Sequence, residues 1–263
     1  MYTDTEGIIL RQIKTLDNRR MILLFSRKYG KISAGTNISE RGKNKSALAI
    51  RPFTYGKYEL FKGHSGYNIN GAEAKRSFFG IGEDIDKFMI ASYILEFTNK
   101  ILPEDHPSER LFDLLLEFMD ILEERKSNLE TIALAYQMKA FALMGIAPQL
   151  RNCVECNTKG EILHERAHSE HLKVYFSVKD GGIICSDCRN NMQEQENVSL
   201  IYPIDFGIVD ILRYFAENPL GNLRKIGLEE SVQKKVLSIL KAYAKYHLDI
   251  KELKSDEFSI GNL

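Results

Sequence analysis

All four cysteines of this 263-residue chain fall in two pairs, Cys153-Val154-Glu155-Cys156 and Cys185-Ser186-Asp187-Cys188. Each C-x-x-C puts two thiolates where one tetrahedral Zn2+ can accept both, and two such pairs complete a shell of four sulfurs. The 28 residues at 157–184 exceed the common separation of about 15–20. A hairpin fills the gap: 173–178 reads as a strand, Asp180-Gly181-Gly182 as a turn, and Ile183-Ile184 as the return strand into Cys185. Disulfides are disfavoured in a reducing cytosol, and a redox pair needs no second copy. Four thiolates leave no position for water, so the expected metal is one structural Zn2+ per chain, not a catalytic one. His164, His168 and His171 lie between the pairs and are read as exposed polar residues.

The sequence around this insertion changes period. Before residue 77 it reads as five short strands: 7–10, 21–25, 31–34, a long run at 48–61, and 66–70. Tyr29-Gly30 marks a tight turn between the second and third. Five strands in about seventy residues fit a small barrel such as the OB-fold. After residue 78 the period becomes 3.6. Ile85, Met89, Tyr93, Phe97 and Ile101 share one helix face, and Leu111, Leu115, Phe118 and Leu122 define a second helix with Pro107 in its first turn. Ser127-Asn128-Leu129-Glu130 has the form of a capping box before a third helix that stops at Gly145. Residues 204–216 and 229–246 read as helical again, the latter with Val232, Val236, Ile239, Leu240 and Tyr243 on one face.

The expected fold class is therefore α+β multidomain: an N-terminal OB-fold barrel, then an all-helical domain with an inserted four-cysteine zinc knuckle. The expected boundaries are 1–78 for the barrel, 79–149 and 193–263 for the two parts of the helical domain, and 150–192 for the knuckle. No apolar run approaches the ~18–20 residues of a membrane span. The opening residues lack the basic-then-apolar pattern of a secretion signal, so the expected location is the cytoplasm, with no membrane partner.

Formal net charge is zero, but residues 1–76 hold 15 Lys/Arg against 6 Asp/Glu. Such asymmetry points to a polyanion for the N-terminal domain, provided the cations gather on one face. Candidate phosphate contacts are Arg19, Arg20, Arg27, Lys28, Lys31, Arg41, Lys43, Lys45 and Arg51. Candidate base-stacking rings are Tyr29, Phe53, Tyr55 and Tyr58, at least half of which belong to the barrel core because alternate strand residues point inward.

No catalytic residue is expected. Gly35 and Gly42-Lys43 imitate a phosphate-binding loop, but six residues separate the glycines and Asn44 stands where a hydroxyl belongs. The strand-like run at 48–61 is a third objection, since that motif precedes a helix. Hydrolase, metalloprotease and dinucleotide motifs are absent, and Asp84/Asp86 and Glu123/Glu124 read as solvated helix charge. Besides a DNA-binding protein, a protein-interaction adaptor and an RNA-directed OB protein fit these features.

Together the segments resemble RecO, the bacterial DNA repair and recombination mediator family. The resemblance rests on Gly7-Ile-Ile-Leu10, on Leu23-Leu-Phe-Ser-Arg-Lys-Tyr-Gly-Lys-Ile32, on Lys45-Ser46 and on Pro52-Phe53. It continues through Leu143-Met-Gly-Ile-Ala-Pro148, both C-x-x-C pairs, His247-Leu248 and Leu253-Lys254-Ser255. Arg19-Arg20 departs from it, standing where an acidic-Asp pair is expected. The resemblance implies an OB domain and a helical domain with a zinc site. It also implies binding of single- and double-stranded DNA, annealing of complementary strands, and a nucleoid-associated role in DNA recombination after DNA damage. The partners it implies are RecR, the single-stranded DNA-binding protein SSB and, indirectly, RecA. A tail of SSB docks on the family's helical domain, at a site that no residue here marks.

Overall fold

The computed structural model describes residues 1–14, 20–39, 45–64, 66–170, 173–192, 200–250, 253 and 255. The chain forms two compact units, Met1–Arg125 with Leu253–Asn262, and Lys126–Glu252.

The first unit opens with strands β1 (Tyr2–Lys14), β2 (Arg20–Ser26) and β3 (Gly30–Thr36), helix α1 (Lys45–Ala49), and strands β4 (Tyr55–Gly63) and β5 (Gly66–Arg76). Helices α2 (Phe79–Gly82), α3 (Ile85–Ile101) and α4 (Glu109–Glu124) follow. The strand order β1-β2-β3-β5-β4 returns to β1. Every pairing is antiparallel except β3–β5, a parallel seam of three residue pairs, so the sheet is mixed and OB-like. Strand β1 reaches both of its neighbours through a bulge between Ile9 and Arg11, which bends it. Alternation builds the core: β3 buries Ile32 and Ala34 and turns Lys31, Ser33 and Gly35 away. Ile9, Ile22, Leu24, Leu60 and Ile69 join them around Tyr58. Each such aliphatic side chain contributes about 1.5–3 kcal/mol on burial.

The run at 48–61 is not one strand. It begins inside α1, whose Ala47 and Ala49 are buried, and Tyr58 donates a hydrogen bond to the Ala49 carbonyl at 2.7 Å. Pro52 has no N–H for a ladder, and Phe53 takes φ 59°, burying its ring edge-on against Phe88. The ladder starts only at Tyr55. A helix therefore does follow the Gly42-Lys43 segment, and the objection to a phosphate loop now rests on glycine spacing and Asn44 alone.

Helix α3 is capped by Asp84, whose carboxylate accepts from the backbone of Asp86 and Lys87 at 3.0 and 3.2 Å. Helix α4 starts at Glu109 behind Ser108, so Pro107 lies ahead of the first turn and not within it. Two arginines tie the barrel to α4. Arg27 donates to Asp113 at 2.6 Å, and Arg76 pairs with Asp120 and Glu123.

The second unit holds α5 (Leu129–Leu143), α6 (Gly160–Glu170), β6 (Val174–Ser177), β7 (Gly182–Cys185), α7 (Ser186–Asn191), β8 (Ile201–Ile204), α8 (Phe206–Glu217) and α9 (Glu230–Leu248). Helix α5 is buried on nearly all sides. Its expected capping box does not form: the cap is Asn128, at φ 52° and without a side-chain cap bond. The Asn128 amide is packed so closely on Gly227 that a Cβ there would lie 2.5 Å from its Cγ. Asn tolerates the left-handed region, so tertiary packing overrides the local motif. The helix stops as expected, with Gly145 at φ 76° and the Ile146 N–H donating to the Phe141 carbonyl at 2.9 Å.

This unit is helical but not all-helical. Its sheet has the order β7-β6-β8, and β8 corrects the reading of residue 204 as the start of a helix. Pro203 is tolerated because β8 is an edge strand. Helix α8 begins only after Asp205, whose carboxylate accepts from the Ile208 N–H at 3.0 Å. Helix α9 reaches the hairpin through His247, whose Nε2 lies 2.7 Å from the Val178 carbonyl. Among the described residues, no helix is long and apolar enough to cross a membrane.

Candidate nucleic-acid groove and cysteine cluster

A groove of about 740 Å3 crosses the β3–β5 seam of the barrel, lined among others by Met21, Gly35, Asn37, Phe61, Tyr67 and Asn68. It lies on the strand 2–3 face and against the β4–β5 turn, the surface on which OB barrels hold oligonucleotides and oligosaccharides. Arg20 borders it, paired in register with the lining residue Thr36. Lys62 borders it as well, its Nζ 5.1 Å from the centre of the Tyr67 ring.

Of the nine cations singled out from the sequence, the six among the described residues do not form one patch. Arg19, Arg41 and Lys43 lie outside the described residues. Arg20 stands at the groove. Lys45 opens α1, exposed, with its Nζ 3.0 Å from Glu73, and Arg51 is exposed in the turn after α1. Arg27, Lys28 and Lys31 sit at the other end of the β2–β3 hairpin, roughly 20 Å along a seven-residue strand. Lys28 is exposed there. Arg27 is held by Glu6 and Asp113 and lies 4.4 Å over the Phe112 ring. Lys31 donates to the Asn99 carbonyl at 3.0 Å, and burial pushes its pKa down. Lys57 pairs with Asp4 at 3.5 Å, and Lys75 with Glu6. The charge excess of residues 1–76 is thus partly used within its own unit.

Of the candidate rings, Tyr58 is wholly buried and Phe53 nearly so. Tyr55 is half-buried 6.2 Å from Phe112, and the Tyr29 hydroxyl is bonded to Thr3 at 2.6 Å. The rings that line the groove, Phe61 and Tyr67, were not among those candidates. A signal for Phe61 existed: with Tyr58 and Leu60 inward on β4, the next aromatic faces the other way.

The second unit brings the four cysteines together. The Sγ atoms of Cys153, Cys156, Cys185 and Cys188 all lie within 4.8 Å of one another. Cys156 and Cys185 are 3.8 Å apart, matching the ~3.8 Å between corners of a thiolate tetrahedron with metal–sulfur bonds of about 2.3 Å. Cys153 and Cys156 come from the turn before α6, Cys185 ends β7 and Cys188 lies in α7. Backbone N–H groups of Cys185 and Cys188 donate to the sulfurs of Cys153 and Cys185, each at 3.4 Å. The Thr158 hydroxyl, 3.0 Å from Cys156, draws that thiol down to about 6, while burial pushes Cys185 and Cys188 up. Four sulfurs this close cannot all be anionic without a cation among them. An all-sulfur, four-donor set suits a soft or borderline metal held in a closed shell. His164 packs edge-on against Phe206, 5.0 Å between ring centres; the side chains of His168 and His171 lie outside the described residues.

These features define the class: an OB-type barrel protein whose helical unit carries a four-cysteine cluster within metal-binding distance. Residues 1–78 match the family model Recombination protein O N terminal, and residues 82–257 match Recombination protein O C terminal. The chain is 33% identical over 259 residues to the DNA repair protein RecO of Thermoanaerobacter sp. (strain X514), covering 98% of this chain and 97% of that protein. It is 28% identical over 249 residues to the RecO protein of Alkaliphilus metalliredigens (strain QYMF), covering 95% of each. It is 27% identical over 243 residues to that of Bacillus subtilis (strain 168), covering 92% and 88%. The chain belongs to the recombination protein O family.

Proposed function

We propose that this protein is a DNA-binding recombination mediator, acting without a catalytic residue in recombinational DNA repair in the cytoplasm. The observation that carries the reading is an OB-like groove on the β2–β3 face, bordered by Arg20 and Lys62, in a chain of this family. Residues 1–78 supply the DNA-binding module. The basic segment 40–45 runs on from the groove residues Asn37 and Ile38, and its Arg41, Lys43 and Lys45 join Arg20 as contacts to the phosphate chain. Lys28 and Arg51 serve a second stretch of backbone. Annealing requires two phosphate chains to approach despite repulsion, and a sequence-blind cationic surface lowers that barrier by displacing counterions. Family membership supports action with RecR in loading RecA on strands coated by SSB.

Cys153, Cys156, Cys185 and Cys188 would hold one Zn2+ per chain. The ion supplies cross-linking, tying the turn before α6 to β7 and α7, and no chemical step.

The test is annealing of SSB-coated complementary oligonucleotides in a salt series, with the wild-type chain and with an Arg41→Ala/Lys43→Ala/Lys45→Ala variant. The wild type accelerates annealing, and the variant binds more weakly with a flatter salt slope at unchanged stability. Equal annealing with and without the wild-type protein refutes the function. Unchanged affinity and slope in the variant refute the loop assignment.

A second reading, a protein-interaction adaptor, draws support from Phe79 and Ile85, which are 68% and 70% exposed. It predicts that Phe79→Ser/Ile85→Ser abolishes partner capture while DNA affinity stays unchanged.

A further inference from the structure

The register of the barrel places five residues in one line. Met21 pairs with Gly35, Gly35 with Asn68, Asn68 with Phe61, and Phe61 with Tyr2, so the row crosses β2, β3, β5, β4 and β1. Directly paired residues point to the same face of a sheet. The neighbours Ile22, Ala34, Ile69 and Leu60 are buried in the core, so the row faces away from it. Met21, Gly35, Asn68 and Phe61 all line the groove.

The chemistry along this row suits a base better than a phosphate. At one end Tyr2 and Phe61 pack with ring centres 5.0 Å apart, and Tyr2 is 74% exposed. In the middle the Asn68 side chain packs over Gly35: a Cβ there would come within 3.0 Å of the Asn68 Oδ1. Asn68 is exposed and offers both a donor and an acceptor to a base edge. The row itself carries no charge. The nearest cations, Arg20 and Lys62, adjoin Met21 and Phe61 in sequence, and strand alternation turns them off the face of the row.

We propose that this row is a track for unpaired bases, with Phe61 and Tyr2 as the stacking platform and Asn68 as the edge contact. The track rests on the DNA-binding reading and narrows it: the groove takes single strands through their bases. Bases paired in a duplex are stacked on one another and cannot reach the platform. Stacking is worth about 1–3 kcal/mol per base, or about 5- to 150-fold in affinity, and tolerates any base.

The experiment titrates a labelled oligothymidylate and a blunt duplex of equal length into wild type, Tyr2→Ala, Phe61→Ala and Phe61→Tyr. A 2-aminopurine placed mid-strand in a parallel oligonucleotide reports stacking by quenching. Tyr2→Ala and Phe61→Ala lose at least fivefold in single-strand affinity and most of the quenching. Duplex affinity stays within about twofold, the salt slope is unchanged, and Phe61→Tyr restores binding. Tyr2→Ala carries the test if Phe61→Ala fails to fold, because the Tyr2 ring is largely in solvent. Single-strand affinity and quenching equal to wild type in the alanine variants overturn the track and leave the function standing. No DNA binding by the wild type overturns both.

Discussion

Arg27 and Asp113 latch the β2–β3 turn to α4: the guanidinium donates to the carboxylate at 2.6 Å and lies 4.4 Å over the neighbouring Phe112 ring. Asp113 raises the pKa of Arg27 further above its ordinary value, so the cation persists at every accessible pH. Part of this charge is screened by solvent, and the ring contact supplies about as much as the ion pair. Arg27→Ala should therefore cost about 1–2 kcal/mol of stability, read as a lowered urea midpoint. It should leave the salt slope of DNA binding unchanged. A flattened slope at unchanged midpoint would return Arg27 to the DNA contacts.

Glu6 gives the same unit a pH dependence. Its hydrogen bond with Lys75 holds its pKa below the ordinary 4.5. A carboxylate depressed in the folded state contributes stability that is present above the unfolded pKa. That contribution is lost as pH falls through the folded value. The wild type should lose more of its urea midpoint between pH 7 and pH 3.5 than Glu6→Gln does. Equal losses in the two proteins would show that the Glu6–Lys75 pair does not matter.

Elements with a strong local period were legible in the sequence, and those decided by distant partners were not. The i+4 ladder of α3 from Tyr93 to Ile101 and the alternation of β3 each report a buried face, a property of a few neighbouring residues. The ladder's first member, Ile85, is exposed. By contrast, Asn128 takes the cap of α5 because of Gly227, a hundred residues away. The stretch after Lys45 turns helical because the Tyr58 hydroxyl captures the Ala49 carbonyl. The cysteine cluster was legible because its spacing is local to each pair. The groove was not, since Met21, Gly35, Asn68 and Phe61 meet only through the register of four strands. The charge balance of residues 1–76 misled for the same reason: it counts Arg27 and Lys31 but not the Asp113 and Asn99, further along the chain, that occupy them.

Chelating the proposed zinc ion should unravel the hairpin side of the second unit and spare the barrel. Protein purified without chelator should release about one zinc per chain on thiol modification, read with a chromophoric chelator. Cys185→Ser, which removes a buried sulfur of the cluster, should abolish that release and lower the melting temperature of the second unit. Single-strand affinity should stay within about twofold of wild type, because the groove lies in the other unit. Well under one zinc per chain in the wild type refutes the site.

Two glycines of the second unit should respond differently to alanine. Gly145 sits at φ 76° with open space around it, so Gly145→Ala meets only backbone strain of about 1–2 kcal/mol. A Cβ on Gly182 would fall against the Gln149 carbonyl and lie 2.6 Å from Val154 Cγ1. Gly182→Ala must therefore push β7 away from the segment that carries Cys153 and Cys156. It should lower both the melting temperature and the zinc stoichiometry, whereas Gly145→Ala keeps its zinc. Full zinc occupancy in Gly182→Ala would mean that the cluster does not depend on this close approach.

The cations themselves can be sorted by salt dependence. Each phosphate contact removed from a single strand should reduce the log–log slope by about 0.7. Arg20→Ala and Lys62→Ala, both beside the groove, should each flatten the slope by about that amount. Lys31→Ala should not, because its ammonium donates to the Asn99 carbonyl and is already turned from solvent. Lys31→Ala should instead lower the urea midpoint, since the Asn99 carbonyl loses its donor. The comparison separates cations that meet phosphate from cations that hold the barrel to its helices, a distinction invisible in their shared charge. A slope change in Lys31→Ala equal to that in Arg20→Ala would place the DNA along the whole β2–β3 hairpin rather than across the seam.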